Sequence, residues 1–217
     1  MSCEADRPMG RFHSSGGSRE APIITDRPPL PLISSLRALM RCVATTVVLL
    51  LRRRISQPKE RLGNVLRFGD GTRGRVYRET VLDTAPRDAP AVLVVAFKLR
   101  WVHGRGHPLF RAESLLNTPL FVGFPGFVSK LWLAHDGNET YRGFYEWDDA
   151  QLADVYVRAL WWVLALVSIR ESIRYAVLPD LRRDDVLADP AILHEVAPGQ
   201  DQAWWRLAAV EQPHCER

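Results

Sequence analysis

Three charged residues sit where strands usually carry aliphatic and aromatic side chains. In the stretch FPGFVSKLWLAHDGNETYRGFYEWDD, Phe124 to Asp149, they are Lys130, Arg142 and Glu146. A lysine or arginine enclosed by a sheet stabilises negative charge developing on a bound molecule. A carboxylate beside it balances a charge that would otherwise be costly to bury. Trp132, Phe144 and Tyr145 lie among these charges and would wall such a site. A second group comes earlier, in HGRGHPLFRAES. There His107, Arg111 and Ser114 follow spacings of four and three, which one helical face can hold. A histidine titrating near neutral pH is suited to accept a proton from a hydroxyl or a carbon acid. The expected catalytic set is therefore Lys130, Arg142, Glu146 and His107. Trp132, Tyr145, Phe144, Arg111 and Ser114 are expected to contact a small acidic or phenolic substrate. The structural counterpart is a cross-strand ion pair among the three strand charges, with His107 as a cap and Arg111 solvated.

Other chemistries find little footing. His103 and His107 are four apart, but Gly104 and Gly106 work against a helix holding both on a metal, and no third ligand is evident. No metal or cofactor is expected. GDGTRG has the spacing of a dinucleotide-binding loop at Gly69, Gly71 and Gly74, yet it precedes a strand and not a helix, so it reads as a turn. Nucleophile elbow, Walker loop and HExxH patterns are missing from the sequence. Cys3, Cys42 and Cys215 lie too far apart for a disulfide framework and suit a reducing compartment. The net charge of +4 over 217 residues is uneven. Residues 30–62 hold six Arg and one Lys against Glu60, so the rest of the chain is slightly acidic and nucleic acid is not an expected partner.

The elements that must position the strand charges follow from periodicity. AVLVVAFKLRW, from Ala91, is a buried strand, and Pro108 opens a helix over Leu109 to Leu116. Val128–Ala134 and Tyr141–Trp147 form a hairpin across HDGNET. Asp148 and Asp149 cap a helix from Ala150 to about Val167, and SIRYAVLP closes as a strand. That order is ferredoxin-like βαββαβ, an α+β fold with a four-stranded antiparallel sheet and two helices on one face. Alternation puts Ser129, Leu131 and Leu133 on one face and Lys130 and Trp132 on the other. With the leucines under the helices, Lys130 would share the bare face with Arg142 and Glu146, and a second copy would cover it.

Outside this domain, taken as 64–179, residues 1–29 read as a disordered leader. Residues 180–217 read as a peripheral tail with one short helix near AWWRLAAVE. Residues 30–62 form a basic amphipathic helix, with Ser34 and Ser35 at its start. Its apolar stripe runs through Leu36, Leu39, Met40, Val43, Val47, Leu50 and Leu51, opposite Arg37, Arg41 and Arg52. It fits an anionic membrane surface, packing on the domain or a partner, or a transmembrane span that tolerates two arginines. Trp161, Trp162 and Leu166 add an apolar patch for this helix or a second subunit to cover.

FPGFVSKLW, YRGFYEW and the acidic helix start resemble the YdhR-type monooxygenase-like proteins, over roughly Ala91–Pro179. An actinobacterial group with RETV, FRAESLLNTPLF and SKLW is more similar still. The resemblance implies a dimeric α+β barrel, a homodimer and cofactor-independent oxygenation of a small molecule. The alternative is a non-catalytic binding or scaffold protein, cytoplasmic and held at the inner membrane face through residues 33–54.

Overall fold

The computed structural model describes residues 23–84, 89–100 and 118–213. In chain order these form β1 (Ile24–Thr25), α1 (Leu32–Leu51), β2 (Ile55–Ser56), β3 (Val65–Phe68), β4 (Arg73–Leu82) and β5 (Ala91–Lys98). Then come β6 (Phe127–Leu133), β7 (Thr140–Trp147), α2 (Ala150–Val167), β8 (Arg174–Pro179), α3 (Arg183–Ala188), α4 (Ile192–Val196) and β9 (Leu207–Glu211). The strands make one curled antiparallel sheet in the order β1-β8-β5-β7-β6-β4-β3-β9, with β2 pairing β4.

This corrects the four-stranded ferredoxin-like expectation and, with it, the dimeric α+β barrel. β8, β5, β7 and β6 do lie side by side, but the ladder does not stop at β6. β4 pairs β6 from Val76 to Val81, β3 pairs β4, and β9 pairs β3. β1 extends the opposite edge on β8. An exposed edge presents unpaired N–H and C=O groups, and here the chain satisfies them with its own flanking segments.

Both faces of the sheet are covered from within the chain. One face meets α1, α2 and the segment 118–124, around Leu93, Val95, Trp147, Tyr156 and Val177. The other buries Val92, Val94, Leu131, Leu133 and Phe144 against Leu181, Val186, Leu193, Trp205 and Leu207. Residues 181–207 thus form a core layer, and the stretch expected as a short helix near AWWRLAAVE contributes strand β9. The bare face that called for a second copy does not exist.

Local signals act where they were read. Asp149 caps α2, its Oδ1 accepting from the N–H groups of Gln151 and Leu152 at 2.7 and 3.0 Å. Asp136 closes the β6–β7 connection by accepting from Asn138 N and Thr140 N. The N-terminal helix departs from its expected bounds: α1 spans 20 residues, Leu32–Leu51, and starts after Pro31 without a side-chain cap, so Ser34 and Ser35 lie inside its first turn and residues 52–62 are not part of it. It seats Ser35, Leu39, Cys42 and Thr46 against the domain and leaves Leu36, Met40, Val47, Leu50 and Leu51 exposed. Of the expected apolar stripe, only Leu39 is buried. The inward face holds small residues because the approach is close. A Cβ on Gly123 would stand 2.0 Å from the Cys42 carbonyl oxygen. The Trp162 indole donates to the Leu30 carbonyl at 2.7 Å, so the chain entering α1 partly covers the tryptophan pair.

Candidate functional site

The strand alternation is as the sequence implies, but the faces are assigned the other way round. Lys130 lies opposite Thr80 on β4 and Tyr145 on β7, and all three point to the side of α1 and α2. Its ammonium stands 3.2 Å from the centroid of Trp132, 4.6 Å from Phe121 and 4.7 Å from Tyr145. A register shift between Val76 and Arg78 changes the pleat there, so that both Tyr77 and Arg78 reach Trp132. Gly143 gives Tyr145 its place, since a Cβ there would fall 2.5 Å from the phenol ring. Thr80 accepts from the Trp132 indole at 3.3 Å, and Arg78 donates to Thr118 at 2.7 Å. The result is an aromatic chamber holding two cations.

Its electrostatics centre on Lys130. Among the described residues Lys130 has neither a hydrogen bond nor an ion pair; its contacts are ring faces. Burial, and secondarily the charge of Arg78, pushes its pKa well below the ordinary lysine value. Burial also lowers Arg78. At Lys130, cation–π attraction offsets part of this cost, and no described residue supplies a counter-charge. Across the chamber the hydroxyls of Tyr156 and Tyr145 meet at 3.4 Å. Burial raises the pKa of both, so they remain neutral hydrogen-bond donors. Its lining is buried: Lys130, Trp132 and Arg78 keep only 6%, 7% and 8% of their surface exposed.

Arg142, Glu146 and Phe144 do not join it. All three lie on the opposite face of the sheet, which overturns the enclosed cluster expected with Lys130. Arg142 pairs with Asp136 at 2.8 Å and Asp70 at 3.4 Å and lies over the Phe68 ring, tying the β6–β7 turn to the β3–β4 turn. Glu146 is 3.7 Å from Arg182, and burial raises its pKa against the lowering influence of Arg183. Phe144 is core. Nearby, buried Glu79 pairs with Arg183 at 2.8 Å and Arg61 at 3.1 Å, bolting α3 to the sheet. His103, His107, Arg111 and Ser114 lie outside the described residues. No group of three His, Cys, Asp or Glu among the described residues is placed to hold a metal.

Sequence reasoning found Lys130, Trp132 and Tyr145 but missed Arg78, Thr80, Thr118 and Phe121. The run Gly71–Leu82 reads as a strand or hairpin from its alternation at Val76, Thr80 and Val81, and β4 forms there, but the bulge that brings Arg78 to Trp132 is invisible without the partner strand. No protein-family model matches this chain, and no curated protein matches it.

Proposed function

We propose that the protein binds a small organic acid or phenol in the chamber around Lys130, on the helix side of the sheet. The observation that carries this reading is the buried ammonium of Lys130, which has aromatic contacts and no carboxylate partner among the described residues. A buried charge without a partner opposes folding, and such groups concentrate where ligands are held. An anion would supply the missing counter-charge. Arg78 adds a second positive charge against Trp132, and the neutral hydroxyls of Tyr145 and Tyr156 add donors. Phe121 and Trp132 would stack on an aromatic or otherwise flat ligand body.

The proton balance follows from the lowered pKa of Lys130. Where the amine is neutral, a phenol keeps its proton and donates a hydrogen bond to the amine, without net uptake. A carboxylate arriving as an anion draws one proton from solvent. In this reading the protein works in the cytoplasm, where Cys3, Cys42 and Cys215 stay reduced.

The test is a thermal-shift screen of aromatic carboxylic acids and phenols on wild type and Lys130→Met. At least one acid should raise the wild-type Tm, with the shift reduced to near zero in the variant. An acid that shifts both proteins alike, or a screen with no response while Lys130→Met stays folded, would overturn the proposal.

A further inference from the structure

α1 faces outward with the residues that normally face inward. Leu36 is 52% exposed, Met40 70% and Leu51 79%, while the buried face is Ser35, Leu39, Cys42 and Thr46. Helical spacing places Leu36, Met40 and Val47 on one stripe and Arg37, Arg41 and Arg52 on the stripe beside it. The helix carries no acidic residue. Arg37, Arg41, Arg52 and Arg53 have no hydrogen-bond or ion-pair partner for their side chains among the described residues, and only Arg54 is tied back, to Asp83. At the far end of α2, Leu166 is 70% exposed one turn beyond Trp162, which bonds the chain entering α1. An apolar surface of this kind on a water-exposed helix has a partner.

We propose that this partner is an anionic lipid bilayer, with α1 lying in the plane of the interface. The apolar stripe would enter the boundary between headgroups and acyl chains, and the arginines beside it would reach lipid phosphates by extending their stems. α1 is long and apolar enough to span, as is α2. A span, however, would strip α1 from Gly123 and from the Pro119 carbonyl, which Cys42 and Thr46 meet at 3.2 and 3.5 Å. It would also bring Arg37 and Arg41 into hydrocarbon. A flat orientation keeps the seat and satisfies both charges. Charge also favours lipid over a second copy, because two such helices would bring their arginines together.

Flotation of the full-length protein with phosphatidylcholine vesicles, with and without phosphatidylglycerol, tests this. Binding should require phosphatidylglycerol and fall with salt. The double variant Leu36→Glu, Met40→Glu should abolish it. Arg37→Gln with Arg41→Gln should weaken it by roughly an order of magnitude. These positions are exposed, so thermal melts should be unchanged and a loss of binding is not a loss of fold. Four results would overturn the proposal. These are no binding to anionic vesicles, equal binding by the Leu36→Glu, Met40→Glu protein, resistance to alkaline extraction from cell membranes, and a wild-type dimer that the double variant makes monomeric without vesicle binding.

Discussion

Lys130 holds its charge among rings, and the consequence is measurable as stability. Its folded pKa lies below the ordinary value of 10.5, so the unfolded chain binds more protons across the interval between the two. Stability therefore rises with pH through that interval, and the burden of Lys130 is greatest below it. Lys130→Met keeps the volume and removes the burden. We expect it to be more stable than wild type at pH 7 by roughly 1–3 kcal/mol, the scale found for a buried polar group without a partner. The gain should shrink toward pH 10. Urea melts at both pH values check this, and a variant less stable than wild type at pH 7 would show the cation–π contacts to dominate. Arg142 is the contrast. It is equally buried, but Asp136 and Asp70 answer it, so Arg142→Met should destabilise by leaving Asp136 without its 2.8 Å partner. Nothing in the residue types separates the two. Both are single cations among aromatics; Arg142 meets Asp136 in its own hairpin turn and Asp70 from a distant one, whereas Lys130 has no carboxylate partner among the described residues.

At the scale of elements, legibility tracked how local the determinants are. The hairpin across Asp136–Thr140 and the cap at Asp149 are set by neighbours within four residues, and both form as read. The seat of α1 is set by residues more than seventy positions away. Apolar spacing alone points Leu36 and Met40 inward. The structure instead selects the small face, because Gly123 lets the two backbones meet. Gly123→Ala places a methyl group against the Cys42 carbonyl and the Thr46 backbone nitrogen at 2.0 and 2.8 Å. Overpacking of this kind costs about 1–3 kcal/mol, and here it falls on the docking of α1. Cys42 reports it directly. Its thiol is 1% exposed, and burial raises its pKa to about 11, so it should resist alkylation at pH 8. In Gly123→Ala the alkylation of the Cys42 peptide, followed by mass spectrometry, should speed up several-fold. An unchanged rate would mean that α1 shifts as a rigid body without opening.

For the whole molecule, the decisive fact is that both faces of the sheet are dry, and one strand had already announced it. Ala91–Lys98 is apolar on both sides, with Val92 and Val94 facing one layer and Leu93 and Val95 the other, as strands covered twice usually are. The βαββαβ order left one face open and Lys130, Arg142 and Glu146 were expected on it, but all three are buried. The second cover was illegible because it arrives last, as short helices and a strand whose alanines carry no strong β signal. It nonetheless holds the fold. Leu181, Val186, Leu193 and Leu207 are each at least 94% buried. At roughly 1.5–3 kcal/mol apiece, these four match the entire stability of a typical domain. Removing residues 181–217 would uncover Phe144, Leu131 and Leu133, leave Glu79 without Arg183, and free the edge of β3 that β9 occupies. We expect such a chain to aggregate or to bind a hydrophobic dye without a cooperative melt. The milder Trp205→Ala should keep the fold at a cost of about 3–5 kcal/mol. A truncated chain that stayed monomeric and melted cooperatively would show that the helix-side layer alone suffices, and that the C-terminal layer is cover and not core.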